Sequence, residues 1–201
     1  MIRVPHLPRR LSGLAADSSG VTALEFALIA PTFLFMMIGS LDLGQMAYGS
    51  VLLNGAVEKA ARDSTLETAD TSAADNMVKG MVGPIVPSAT FTSSRTSYFD
   101  FVDVGRPERW NDGNADATCN NNEAYVDENV NGHWDADIGQ DGNGGANDVV
   151  VYKVTVKYKA LIQIPLIPSS WYNRTLTATT VKKNQPFAYQ EGYSSTAGVC
   201  P

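Results

Sequence analysis

The sequence is poor in the side chains that most enzyme chemistry needs. It holds two histidines in 201 residues, His6 near the N-terminus and His133 in an acidic loop. Nucleophilic catalysis of the Ser-His-Asp kind needs an imidazole oriented by a third group. No serine motif and no histidine cluster accompanies either one, so an enzyme is not expected. Cations are also scarce, with 15 lysines and arginines against 21 acids and a net charge of -6. A nucleic-acid binder neutralises phosphates with a basic patch, so this balance argues against nucleic acid as a partner. Cysteine is limited to Cys119 and Cys200. Outside the cytoplasm such an even pair is usually a disulfide, and closing an ~80-residue loop would stabilise by a few kcal/mol. The competing reading is two unpaired thiols in flexible segments.

Polar residues are lacking too, in one place. From Val21 to Leu41 the only charged residue is Glu25, and residues 26–41 are apolar almost throughout. About 20 such residues at 1.5 Å each span a hydrocarbon core of about 30 Å. The stretch is longer than the apolar region of a cleaved signal peptide, and no small-residue cleavage site follows it. A soluble core helix would not need Phe, Leu, Ile and Met on every face. Arg3, Arg9 and Arg10 precede the span with no acid beside them. Positive residues stay in the cytoplasm, so the rest of the chain is expected on the periplasmic side of an inner membrane. No second run compares, because residues 160–168 are too short and hold Pro165 and Pro168.

Gly20 stands directly before this run and Glu25 five residues later, followed by Phe26. A carboxylate inside a membrane helix costs about 2.5–3.5 kcal/mol at the centre and less near the edge, so it calls for compensation. Cleavage after Gly20 would give Val21 a new ammonium group and make Glu25 the fifth residue. Glu25 of one chain could then pair with the ammonium of a neighbour and set the stagger between helices, as a buried polar residue sets register in a coiled coil. The wording Gly-Val-Thr-Ala-Leu-Glu-Phe-Ala-Leu-Ile-Ala-Pro behind a short basic leader resembles the TadE/TadG-like pseudopilins of the tight-adherence (Tad/Flp) pilus system. That resemblance implies cleavage after Gly20 by a prepilin peptidase. It also implies a role in assembling a thin pilus, with other pilus subunits and the assembly machinery as partners. Pro31 within the helix fits the same pattern.

Beyond the span, helix-forming residues continue over 42–67, with Ala47, Val51, Leu52, Val57, Ala60 and Ala61 as the apolar stripe. Residues 68–72 are expected to break the helix, and a short helix is predicted from Ser72 to Val82, stopped by Gly83 and Pro84. Strands are predicted at 89–93, 98–104, 149–159 and 176–182. In the 149–159 strand, Val150, Tyr152, Val154, Val156 and Tyr158 share one face, and Lys153, Thr155, Lys157 and Lys159 share the wet one. The expected architecture is α+β: a leader 1–20, a transmembrane helix 21–41, its extension 42–67, and an extracytoplasmic domain 68–201 with a small antiparallel sheet.

Residues 111–148 contain no lysine or arginine and are crowded with Asp, Asn and Gly. Asp112, Asn114, Asp116 and Glu123 fall at positions 1, 3, 5 and 12 of a calcium-loop pattern, with Ala117 where glycine is wanted at position 6. Asp127, Asn129, Asn131 and Asp135 fall at positions 1, 3, 5 and 9 of a second, with Gly132 at position 6. Position 12 there is Ile138, so Asp137 or Asp141 would have to substitute. Calcium takes 6–8 oxygens, and alternate residues of a tight turn can point them inward. Structural calcium loops outside the EF-hand class are the expectation, with Trp134 packing rather than binding. Two functions fit these features. One is a minor pseudopilin processed after Gly20, standing in or at the base of an extracellular pilus. The other is an unprocessed, membrane-anchored calcium-binding adhesin.

Overall fold

The computed structural model describes residues 20–65, 70–163, 168–186 and 194–201. The leader with Arg3, Arg9 and Arg10, the expected helix end at 66–67, the first part of the 68–72 break and Pro165 lie outside those residues. The chain divides into two compact units at Gly44/Gln45. Helix α1, Val21–Asp63, contains Pro31.

In the first unit the apolar side chains are exposed on all sides, among them Leu24, Phe26, Leu28, Ile29, Phe33, Leu34, Phe35 and Met36. The helix is long and apolar enough to cross a membrane once, and its most apolar window buries nothing inside the protein. Lipid or other helices are the surroundings in which such a surface is stable.

In the second unit the same helix becomes one-sided. Gly49, Leu53, Ala56, Val57, Ala60 and Ala61 are buried, a 3–4 spacing that keeps one face inward. This corrects the expected stripe, because Val51 is 72% exposed while Leu53 and Ala56 take the core. The small residues let the helix approach the sheet closely. A Cβ on Gly49 would stand 3.2 Å from a Leu176 methyl, so a larger residue here would need the Leu176 side chain to give by a few tenths of an ångström.

Helix α2, Thr71–Val82, begins where Asp70 accepts hydrogen bonds from the Ser72 and Ala73 amides. It buries Ala74, Val78 and Val82 beside α1 residues in one core. The strands are β1 (Thr90–Tyr98), β2 (Ala124–Asp127), β3 (Gln140–Asp141), β4 (Val149–Lys159), β5 (Asn173–Lys183) and β6 (Thr196–Val199). The main sheet runs β3-β1-β4-β5, antiparallel throughout, and β2 pairs with β6 in a second ribbon. The α+β reading therefore holds.

Strand β4 alternates as expected, with Val150, Tyr152, Val154, Val156 and Tyr158 buried and Lys153, Lys157 and Lys159 exposed. Its inner face packs on α1 and α2. At the centre, Asp75 of α2 accepts hydrogen bonds from Tyr152 Oη at 2.6 Å, Ser93 Oγ at 2.6 Å and Arg95 Nη2 at 2.7 Å. The Arg95 guanidinium also lies 4.1 Å from the Tyr152 ring centroid. Burial opposes the Asp75 charge, but these bonds outweigh it and hold the carboxyl below its ordinary value. Glu58 of α1 pairs with Lys182 and accepts from Thr180, tying the helix to β5.

The predicted 89–93 and 98–104 strands are not two. One strand covers 90–98, and 98–104 leaves the sheet at Asp100, which caps a 3₁₀ turn over Phe101–Asp103. Aromatic and β-branched residues at 98–104 look strand-like, but the Asp100 and Asp103 carboxylates bond the local amides instead.

Candidate functional site

Two places in the chain were singled out by residue type. The first is the start of α1. Gly20 lies in the turn before the helix and its carbonyl accepts the Leu24 amide at 3.1 Å, so it closes the first helical turn. Val21 is the first helical residue, and Glu25 and Phe26 are exposed. A Cβ at Gly20 would meet nothing within 4 Å. Packing among the described residues therefore does not require glycine there. Among the described residues Glu25 makes no ion pair.

The second place is the acidic segment. The two loops fold by one pattern. In the first, Asp112 accepts from the Asp116 and Ala117 amides (3.1 and 3.0 Å), Asn114 from the Asp116 amide (3.0 Å), and Asp116 from the Thr118 amide (2.9 Å). In the second, Asp127 accepts from the Asn131 and Gly132 amides (3.1 and 2.8 Å), Asn129 from the Asn131 amide (3.2 Å), and Asn131 from the His133 amide (2.8 Å). The position-3 amide group also reaches position 9 in both, Asn114 to Asn120 and Asn129 to Asp135.

The backbone repeats as well. Positions 4 and 6 are left-handed in each loop, at Ala115 (φ 58) and Ala117 (φ 59), then Val130 (φ 57) and Gly132 (φ 83). Ala117 thus adopts the conformation that glycine takes in the second loop, at a steric cost.

The loops close differently. Glu123 turns back over the first, accepting from Gly113 at 2.7 Å and Asn120 at 3.3 Å. In the second, Asp135 accepts from the Asn129 and Asn131 side-chain amides. Asp137 is engaged elsewhere, by Tyr98 Oη at 2.9 Å. Burial first, and this carboxylate next, push the Tyr98 phenol up to about 12. Asp141 lies in β3. Among the described residues no three His, Cys, Asp or Glu side chains come together as a metal-ligand group. The oxygens of Asp112, Asp127 and Asn131 are turned to backbone amides within each loop, and Asp116 gives one oxygen to the Thr118 amide and the other to the side-chain amides of Asn114 and Asn120.

The loops are held by features at their borders. Cys119 and Cys200 form a disulfide with Cα atoms 5.5 Å apart. The Cys200 amide donates to the Glu123 carbonyl at 2.8 Å, and β6 pairs with β2 between the two loops. Glu108 is fully buried, with one oxygen on the Glu128 amide at 2.6 Å and the other on the Asp135 amide at 3.1 Å. Glu128 receives Arg106 at 2.7 and 3.0 Å and Arg109 at 3.1 Å. The Arg106 fork above all brings its carboxyl down to about 2 against the opposition of burial, with Arg109 adding to the effect. Trp134 packs edge-on against Trp110 at 5.1 Å and donates to the Glu108 carbonyl, as its packing role requires.

Sequence reasoning missed Arg106, Glu108, Arg109 and Glu128. The available signal was the Arg-Pro-Glu-Arg run bordering a stretch with no cation of its own.

The family model described as TadE-like protein matches residues 20–62, from Gly20 to one residue short of the end of α1. The resemblance read from the residues is thus found again over this segment and points to a Tad pilus-related function. Among the described residues one helix is long and apolar enough to cross a membrane. No curated protein and no solved structure matches the chain significantly.

Ala117→Gly is expected to raise stability by about 0.5–1 kcal/mol, since it relieves a left-handed alanine. Denaturant unfolding of the disulfide-intact chain in detergent measures it, and no gain would contradict the strain. Glu128 adds a pH dependence. Its folded carboxyl lies near 2 against an ordinary 4.5. Its stabilisation is complete above pH 4.5 and is lost as pH falls toward 2. The limit is about 3 kcal/mol. Glu128→Gln should be less stable than the native chain at neutral pH, and the gap should shrink through that window. A gap independent of pH would contradict the Arg106 pairing as its source.

Proposed function

We propose that this chain is a minor pseudopilin that takes part in assembling a Tad/Flp-type pilus. It is processed after Gly20 by a prepilin peptidase. The observation that carries the reading is the TadE-like match over residues 20–62, which starts at Gly20 and takes in Glu25 and the whole apolar run. The lack of any packing demand for glycine at position 20 supports it. A glycine that its own fold does not need is free to be selected for recognition by another protein. In the processed chain the Val21 ammonium of one subunit pairs with Glu25 of the next, within a bundle of apolar helices. The basic leader keeps the N-terminus cytoplasmic, and residues beyond the span stand in the periplasm. There the oxidising compartment suits a disulfide.

Co-expression with a prepilin peptidase, followed by mass spectrometry of the membrane-bound product, tests the processing step. The expected N-terminus is Val21, and Gly20→Leu is expected to abolish the cut. An intact N-terminus beside an active peptidase would favour the unprocessed, anchored adhesin instead.

Calcium in the two loops is a separate part of the proposal. The likeness of the loops at positions 1, 3, 5 and 6 supports it, and Asp112, Asn114, Asp116 and Glu123, then Asp127, Asn129, Asn131 and Asp135, are the residues that would hold the ion. The ion would act structurally, with the weak affinity of extracellular sites, ~10⁻⁴–10⁻³ M. Millimolar calcium should raise the thermal midpoint of the full chain in detergent, and chelator should reverse the rise. Asp112→Asn with Asp127→Asn should lose the response. A midpoint indifferent to calcium would remove the ion from the account.

A further inference from the structure

The end of the main sheet where β4 finishes and β5 begins carries an unusual surface. Lys157 and Lys159 are exposed there, and Arg174 lines the same open groove of ≈ 790 Å³, whose described lining contains no acid. Neither lysine forms an ion pair among the described residues. The strands continue past the last rung, where the Ala160 amide donates to the Tyr172 carbonyl. Just beyond it stand Trp171, 70% exposed, Leu161, 61%, and Ile162, 45%. A tryptophan and two aliphatic side chains in the open, edged by lysines, are what a bilayer interface accommodates: the ring at headgroup depth, the ammonium groups on phosphate.

Three observations select a lipid surface over other occupants. The first is the tether. Within the second unit, Gln45 donates to the Ile85 carbonyl and Gly49 faces Leu176, Val86 and Ile85, so the helix begins its packing at this same end of the sheet. Gln45 is only four residues past Leu41, about 6 Å of helical rise. With α1 read as an anchor that ends near Leu41, chain connectivity leaves this end within reach of the membrane surface. The second is charge polarity. From Gly49 beside Leu176 the helix runs to Glu58 beside Thr180 and Lys182, then to Ser64, whose carbonyl accepts from Asn143. The acidic segment thus leaves the sheet at its far end, where Lys183 is also exposed, while Lys157 and Lys159 sit at the near one, away from that segment's carboxylates. The third is chemistry: anionic headgroups attract each nearby Lys or Arg by about 1 kcal/mol.

We propose that Trp171, Leu161 and Ile162, with Lys157, Lys159 and Arg174, dock this domain on the anionic phospholipid surface beside its own anchor. The proposal rests on the reading of α1 as a membrane anchor. Docking would hold the acidic loops away from the bilayer and present them outward.

The full chain is reconstituted into phosphatidylcholine nanodiscs with or without phosphatidylglycerol. Tryptophan quenching by lipids brominated near the headgroup is then measured. Quenching is expected with phosphatidylglycerol and is expected to vanish in Trp171→Phe. Lys157→Gln and Lys159→Gln, both at exposed positions, should each lower the docked-to-undocked ratio about fivefold. Equal quenching in the native chain and Trp171→Phe would overturn the proposal. So would an unquenched Trp171 whose emission shifts to the blue only when other pilus subunits are added, which would assign the patch to a protein partner. Failure of the chain to incorporate into nanodiscs would overturn the anchor reading and this one together, whereas incorporation without quenching overturns this one alone.

Discussion

The inner face of the main sheet is covered by two helices, and one of them, α1, is also the helix long and apolar enough to cross a membrane. Tyr152, Val154, Val156 and Tyr158 of β4 and Leu176 and Ala178 of β5 are buried against Leu53, Ala56, Val57 and Ala60 of α1 and against α2. Burial of this kind contributes about 25 cal/mol per Å² of apolar surface, so the sheet without the helix would expose most of its driving force. A single helix must therefore satisfy two solvents in succession: apolar all round over its first half, one-sided after Gly44. Small residues on the buried side serve the second condition, since Gly49, Ala56, Ala60 and Ala61 let the backbone come close. The Asp75–Arg95–Tyr152 cluster then fixes α2 against the sheet with paired rather than stray charge.

The acidic segment is ordered by different means. It has few apolar residues to bury, and most of its carboxylates face their own backbone amides. What positions it is a strap, residues 103–110, whose two arginines neutralise Glu128 and whose Glu108 carboxylate bonds two amides of the second loop. The disulfide and the β2-β6 ribbon tie the C-terminus across the first loop. The segment's lack of cations is thus relieved from just outside its border, and its lack of a core is made up by hydrogen bonds and one covalent link.

How far this was legible in the sequence depends on the range of the interaction. Period-two alternation at 149–159 is local, and it named the inner and outer faces of β4 correctly. Helix α2 was also legible, because Gly83 and Pro84 stop it, although it starts one residue before Ser72 on a cap, Asp70, that was read only as part of a break. The buried stripe of α1 was read correctly at Val57, Ala60 and Ala61 but not in its earlier turns, where Ala47 and Val51 are exposed. Val51 and Leu53 are equally apolar, and only the position of Leu176 and Val86 far along the chain decides which of the two turns inward. Strand β1 was misjudged because one of its faces carries Ser93, Arg95 and Ser97, which bond Asp75 and the Gln140 carbonyl, so no apolar alternation marks it. The pairing of β2 with β6, and of Glu108 with two distant amides, has no local signature at all.

The candidate sites show a related asymmetry. The loop residues were legible as a pattern because their spacing is a backbone property, and both loops adopt the same turn in spite of alanine at position 6 of the first. Each loop's Asp and Asn side chains are satisfied by hydrogen bonds within the loop, chiefly to backbone amides. Gly20 and Glu25 are the reverse case. Among the described residues neither packs against a partner: a side chain at position 20 would meet nothing within 4 Å, and Glu25 is an exposed carboxylate at the edge of an apolar helix. Residues kept in costly or unexplained places are best accounted for by what lies outside the chain. A peptidase acting at Gly20 and a neighbouring helix terminus meeting Glu25 would each supply the missing physical reason, and one processing event would supply both.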